Sequence, residues 1–184
     1  MPYKSLTKTD ILRALNRMGE LAQSKGLTLD VALYGGAVFT VVYGSRESTK
    51  DVDAIVRPSE PVHQLALQVA REQDLPEDWL SDDVRQFLAT NEAKRRLASL
   101  EIGPGLVVSV PTAAYLLALK VQACRAPLPG YAGDQEDILF LVRKMELKTL
   151  AEVEKHYHRF FPRDELPERC RIAIEAILEK VHRI

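Results

Sequence analysis

Leu29-Asp30-Val31-Ala32-Leu33-Tyr34-Gly35-Gly36 opens the stretch that decides the fold, and Asp51-Val52-Asp53-Ala54-Ile55-Val56 closes it. Both ends are short apolar runs that stop at turn residues, the first at Gly35-Gly36 and the second at Arg57-Pro58, so each predicts a strand. Between them, Ala37 to Tyr43 is apolar nearly all round, which predicts a short buried helix ending at Gly44. Ser45 to Lys50 reads as a polar turn.

Upstream, Ile11, Leu12, Leu15, Met18, Leu21 and Ala22 recur at helical period behind Thr9-Asp10, with Gly26 as the stop signal. Downstream, Pro61 opens a helix with Val62, Leu65 and Val69 on one side, and Ser81 caps a short helix through Leu88 after a loop at 75–80. Arg96 to Ile102 and Leu106 to Val110 predict a hairpin around Gly103-Pro104-Gly105. From Pro111 onward the pattern is helical, over about 112–126, 134–145, 149–160 and 165–182. The expected class is α+β: a mixed sheet flanked by helices over 1–110, then a C-terminal helical bundle over 111–184. With no linker at Pro111, one compact unit with a cleft between the two parts is expected.

Composition narrows the function classes. The chain has 184 residues, with 25 Lys+Arg against 26 Asp+Glu and a formal net charge of -1. An apolar share of 46% and a charged share of 28% exclude intrinsic disorder. The balanced charge excludes a protein that grips nucleic acid by its global field, so any such contact needs a local patch. The N-terminal residues lack the apolar core of a secretory signal, and the charge-free stretch from Ile102 to Leu119 is broken by Pro104, Pro111 and glycines, so no membrane span is expected. Cys124 and Cys170 lack metal-ligand spacing and read as two reduced, packed thiols of a cytoplasmic protein.

Asp51-x-Asp53 is the sharpest chemical feature. On a strand, side chains two apart share a face with Cα atoms roughly 6.5 Å apart, so two carboxylates can converge on a divalent cation such as Mg²⁺ (or Mn²⁺) that relieves their repulsion. The same pattern also arises at strand starts where one Asp caps a turn. Gly35-Gly36 can offer N–H groups to a phosphate oxygen or be a plain tight turn. Arg46, Ser48 and Thr49 lead into the acidic pair with a forked donor and two hydroxyls, or form a solvated turn. Lys120 follows Ala113–Leu119, a run apolar on every side, so it either snorkels to a rim or needs an anion, for which a triphosphate would serve. Asp134 and Asp137 fit an N-cap and a first-turn carboxylate as well as an active site.

Gly35-Gly36 followed by Arg46-Glu47-Ser48-Thr49-Lys50-Asp51-Val52-Asp53 resembles motif I of the AbiEii/MenT-type branch of the nucleotidyltransferase superfamily. Lys120 within Leu116–Ala123, then Arg125, then Asp134-Gln135-Glu136-Asp137, resembles that branch's helix-borne lysine and its Asp-x-x-Asp. Together these segments span most of 30–142. The resemblance implies a nucleotidyltransferase fold and Mg²⁺-dependent transfer of a nucleoside monophosphate from an NTP to an acceptor hydroxyl. It implies Asp51 and Asp53 as metal ligands, and Gly35, Gly36, Arg46, Ser48, Thr49 and Lys120 as nucleotide-binding residues. Asp51, Asp53, Lys120 and Asp137 are the implied catalytic set. It also implies a toxin of a toxin–antitoxin or phage-defence system, with tRNA as acceptor and an antitoxin protein as partner. Two departures stand out. Gly133 replaces the basic residue that often precedes the first Asp, and the third carboxylate of many relatives is either filled by Glu101 or Asp137 or absent. A nucleotide-binding regulator without turnover and a plain interaction module are the alternatives.

Weaker features are Lys155-His156-Tyr157-His158-Arg159-Phe160-Phe161, which interleaves bases with aromatics but is flanked by acids as a bundle helix would be, and the charge run Lys94-Arg95-Arg96. Trp79 beside Asp82 and Asp83 reads as a packed indole.

Overall fold

The computed structural model describes residues 5–96, 103–127 and 133–182. Its elements are mixed α and β, and they form two compact units: the described residues of Met1–Gln86 with Lys94–Val110, and those of Phe87–Ala93 with Pro111–Ile184.

In the first unit, β2 (Leu29–Leu33) is the centre of a five-stranded mixed sheet. It runs antiparallel to β4 (Val52–Arg57) and parallel to β7 (Leu106–Pro111). β5 (Leu80–Ser81) extends the sheet beyond β4 and β6 (Lys94–Arg96) beyond β7, giving the order β5-β4-β2-β7-β6. A two-residue β1 (Leu6–Thr7) pairs with β3 (Ser48–Thr49) inside the stretch that reads from sequence as a plain turn. Two residues are too short to carry an alternation, so neither strand has a sequence signal of its own.

Helix α1 (Lys8–Ser24) starts with a capping box, in which Thr7 accepts from Asp10 N–H and Asp10 accepts from Thr7 N–H. It ends with Gly26 at φ +71°, where Leu27 N–H reaches Ala22 O and Gly26 N–H reaches Gln23 O. That is a Schellman stop, which glycine enters without steric cost. Ile11, Ala14, Leu15 and Met18 form its buried stripe. Helix α3 (Val62–Gln73) buries Leu65, Ala66, Val69 and Ala70, and the Trp79 indole is fully buried with its N–H on Ala66 O at 3.0 Å.

The second unit contains α4 (Ala113–Ala123), α5 (Gln135–Lys144), α6 (Leu150–Phe160) and α7 (Glu168–His182). α4 contacts α5 and α6, and α7 contacts α5 and α6. α4 is buried from Tyr115 to Val121, as its all-round apolar sequence requires. Tyr157, Phe160 and Phe161 turn inward, Phe160 against Tyr115 and Phe161 against Tyr157. The rings therefore serve the core, while Lys155, His158 and Arg159 stay exposed.

Cys124 and Cys170 form a disulfide with Cα atoms 5.8 Å apart, which corrects the reading of two reduced thiols. The pair is 46 residues apart in sequence, one at the end of α4 and one on α7, and only the packing of those helices brings the sulfurs together. Two bonded cysteines no longer point to a reducing, cytoplasmic setting. No helix among the described residues is long and apolar enough to cross a membrane.

Candidate functional site

The Gly-Gly turn is the point where the sheet, a helix and the acidic strand meet. Tyr34 leaves β2 in extended conformation, Gly35 turns the chain at φ +54°, and α2 (Gly35–Val38) begins at once. It runs on into a wider, π-type turn from Phe39 to Tyr43, stopped by Gly44 at φ +63°. Such a turn inserts one residue per helical repeat and is frequent near functional sites. Thr40, within it, has a buried hydroxyl with no hydrogen-bond partner among the described residues.

The two glycines permit close approach. A Cβ on Gly35 would overlap Asp53 Oδ2, and a Cβ on Gly36 would overlap Thr49 Oγ1 and lie 3.7 Å from an Arg46 guanidinium nitrogen. Five of the residues singled out from sequence, Gly35, Gly36, Arg46, Thr49 and Asp53, therefore meet at one turn, Asp53 against Gly35 and Thr49 and Arg46 against Gly36. Arg46 also lies over the Phe39 ring, 5.8 Å from its centroid, which holds the flat guanidinium at the turn. Thr49 is buried, and its strand β3 is paired to β1, so the loop from Ser45 to Lys50 is fixed at its far end. Ser48 is in the same short strand, half-buried. Asp53 lies within β4, with its carbonyl accepting Tyr34 N–H at 2.8 Å, while Asp51 stands just ahead of the strand; both are half-buried.

Among the described residues no group of three or more His, Cys, Asp or Glu side chains forms a metal cage. A carboxylate pair suits a different kind of site. Mg²⁺ usually binds through one or two carboxylates and keeps the rest of its shell for water and substrate phosphates, so the donor chemistry of Asp51 and Asp53 fits that ion.

In the second unit, Lys120 is buried, and its anion comes from the protein. Its Nζ lies 2.8 Å from Asp134 Oδ1 and 2.8 Å from Asp137 Oδ2. Asp134 is wholly buried and also accepts from Arg125 N–H at 2.8 Å and from Arg125 Nε at 3.1 Å. Burial pushes the Asp134 carboxyl up, but the Lys120 charge and the Arg125 bonds outweigh it and hold it below its ordinary value. Asp134 precedes α5 at the N-cap position without making a side-chain cap bond, because its oxygens serve Lys120 and Arg125 instead. The sequence signal for this network is a lysine on a buried helix followed by two aspartates three apart. What it does not display is that Arg125, itself more than half exposed, contributes a backbone and a side-chain donor. Glu101, the other candidate for a third carboxylate, lies outside the described residues.

Compared with known proteins, the chain gives no match to a family model, to a curated protein or to a solved structure.

Proposed function

We propose that the chain is a Mg²⁺-dependent nucleotidyltransferase that moves a nucleoside monophosphate from an NTP to an acceptor hydroxyl. The observation that carries this reading is the packing of Asp53 and Thr49 directly against Gly35 and Gly36, with Arg46 beside them. Backbone without a Cβ lets the Asp53 carboxylate and the Thr49 hydroxyl come directly against the turn, where a metal-bound phosphate would meet them. Arg46, stacked on Phe39, supplies a forked donor to phosphate oxygens, and the Thr49 and Ser48 hydroxyls add donors of adjustable direction. Asp51 and Asp53 would hold the metal, which when bound neutralises charge on the transferring group.

In the reaction the acceptor oxygen bonds to the α-phosphorus and the bond to the bridging oxygen breaks. Pyrophosphate leaves, and the hydroxyl proton is released to water. The protein's part is positioning and charge complementarity rather than covalent chemistry. The resemblance makes tRNA the first acceptor to test, and a toxin-like role with an antitoxin partner the first biological context.

One observation favours a second reading, a nucleotide-binding regulator without turnover: Lys120 and Asp137 are joined to each other in a buried ion pair. Incubation with each labelled NTP, Mg²⁺ and total RNA separates the two. For the transferase, an RNA species becomes labelled and Asp53→Asn abolishes labelling by 100-fold or more, on the order of the loss of one key electrostatic contact. Nucleotide binding without labelling of any acceptor favours the regulator. Absence of any thermal shift with NTP and Mg²⁺ overturns both.

A further inference from the structure

β4 has a second face and a partly open edge, and neither belongs to the Gly-Gly turn. Tyr34 N–H donates to Asp53 O, so the backbone groups of Asp53, Ile55 and Arg57 point to β2. Val52 N–H donates to Trp79 O at 2.7 Å, so those of Val52, Ala54 and Val56 point to the other side. There β5 pairs only Leu80 with Val52 and Ser81 with Asp53. The chain then curls into the 3₁₀ turn Asp83–Phe87, with Asp83 N–H on Ser81 Oγ at 3.1 Å and Arg85 N–H on Asp82 O at 2.9 Å. Beyond Ser81 no strand among the described residues runs along this edge, and the Val56 N–H and C=O both face it.

A cavity of about 220 Å³ fills the wedge left between β4 and the departing chain. Ala54, Val56, Val62, Ala66 and Leu80 supply the apolar part of its lining. Its mouth is polar, with His63, Glu77, Ser81, Asp82 and Arg85. That volume is below the roughly 300 Å³ of the smallest drug-sized pockets, which suits one or two rings rather than a chain. The apolar side chains of the lining can pack against the faces of a ring. A strand-edge N–H and C=O from one residue favour a ring edge with an acceptor beside a donor, since backbone groups facing an apolar cavity are costly until paired. At the mouth, Asp82 holds Arg85 at 3.1 Å and Glu77 adds a further carboxylate. The rim is therefore poor at holding phosphate and tolerant of a neutral or cationic group.

We infer that this wedge is a binding site for a small, flat, unphosphorylated heterocycle that carries a hydrogen-bond donor and acceptor side by side, the chemistry of a cyclic amide or a free nucleobase. Along the strand, Ala54 and Val56 turn away from Asp53, so this site is on the opposite face of β4 and holds whether or not the transferase reading does.

The test is a titration of the whole chain with 2-pyridone, which has the paired donor and acceptor, against N-methyl-2-pyridone, which keeps the ring and the carbonyl but has no donor. Amide NMR reads the site at Val56 and Ser81, and the fluorescence of Trp79, the one tryptophan of the chain, reads it from just ahead of β5. Saturable shifts at Val56 are expected, with the N-methyl compound about five- to tenfold weaker, the worth of one hydrogen bond. Ala66→Leu, which fills the wall, is expected to abolish the shifts while the melting temperature stays within a few degrees. No shift at Val56, or equal affinity for the two rings, overturns the proposal. Should Ala66→Leu fail to fold, the comparison of the two rings on the unaltered protein still decides.

Discussion

At Gly35 the backbone sits at φ +54°, and the space a Cβ would take is held by the Asp53 carboxylate. Gly35→Ala therefore meets two penalties, about 1–2 kcal/mol for a left-handed non-glycine residue and about 1–3 kcal/mol for overpacking. Urea unfolding is expected to show a loss of about 2–5 kcal/mol, together with weakened NTP binding if the turn is the phosphate site. At the other network, Asp134 is buried with Lys120 and Arg125 on its two oxygens. Asp134→Asn removes that buried countercharge, and a loss of about 3 kcal/mol at pH 7 is expected. The pH dependence has a definite sign. Because the folded carboxyl is held below its ordinary value, its contribution is complete above the unfolded value of about 3.9 and is lost as pH falls through the lower, folded value. Urea midpoints measured from pH 7 downward should fall more steeply for the unaltered protein than for Asp134→Asn once the pH is below about 3.9, so that the two draw together in acid. Parallel curves would remove Asp134 from the acid response.

At the scale of elements, Thr7 has two tasks: it caps α1 through Asp10, and it pairs with Ser48 across β1 and β3. Thr7→Ala should cost about 1 kcal/mol through the lost cap, and hydrogen exchange should speed up at the β3 amides as well as in the first turn of α1. Thr7→Ser keeps the hydroxyl and should restore both. The long elements were legible from sequence because periodicity accumulates over them. The stripe of α1, the all-round apolar α4, and the runs that became β2 and β4 all carry many residues that agree. β1, β3 and β5 are two residues each and exist only because another strand is present to pair with them. Of the candidate site, the Gly-Gly turn with Arg46, Thr49 and Asp53 was legible because its residues lie within twenty positions of each other, on one strand–helix–strand unit. The partners of Lys120 were half legible: the lysine's need for an anion follows from its apolar helix, but the choice of Asp134 and Asp137 follows from how α4 and α5 pack. The disulfide is illegible for the same reason, since two cysteines on separate helices give no sign of their distance.

For the molecule as a whole, the disulfide closes a loop of 46 residues that holds α5 and α6 within the second unit. Constraining an unfolded loop of that length is worth up to about 4 kcal/mol in the chain-entropy account. Reduction, or Cys124→Ser with Cys170→Ser, should lower the unfolding free energy by about that much. Amide exchange should rise in α4 through α7 and leave β2 and β4 near their original rates. An unchanged melt after complete reduction would show that packing alone holds these helices. The pairing of β1 with β3 also bears on the candidate site. Leu6 and Thr7 are seated against Ser48 and Thr49, next to the Gly36 turn. A disturbance at Leu6 or Thr7 thus reaches Thr49 through the same short ladder.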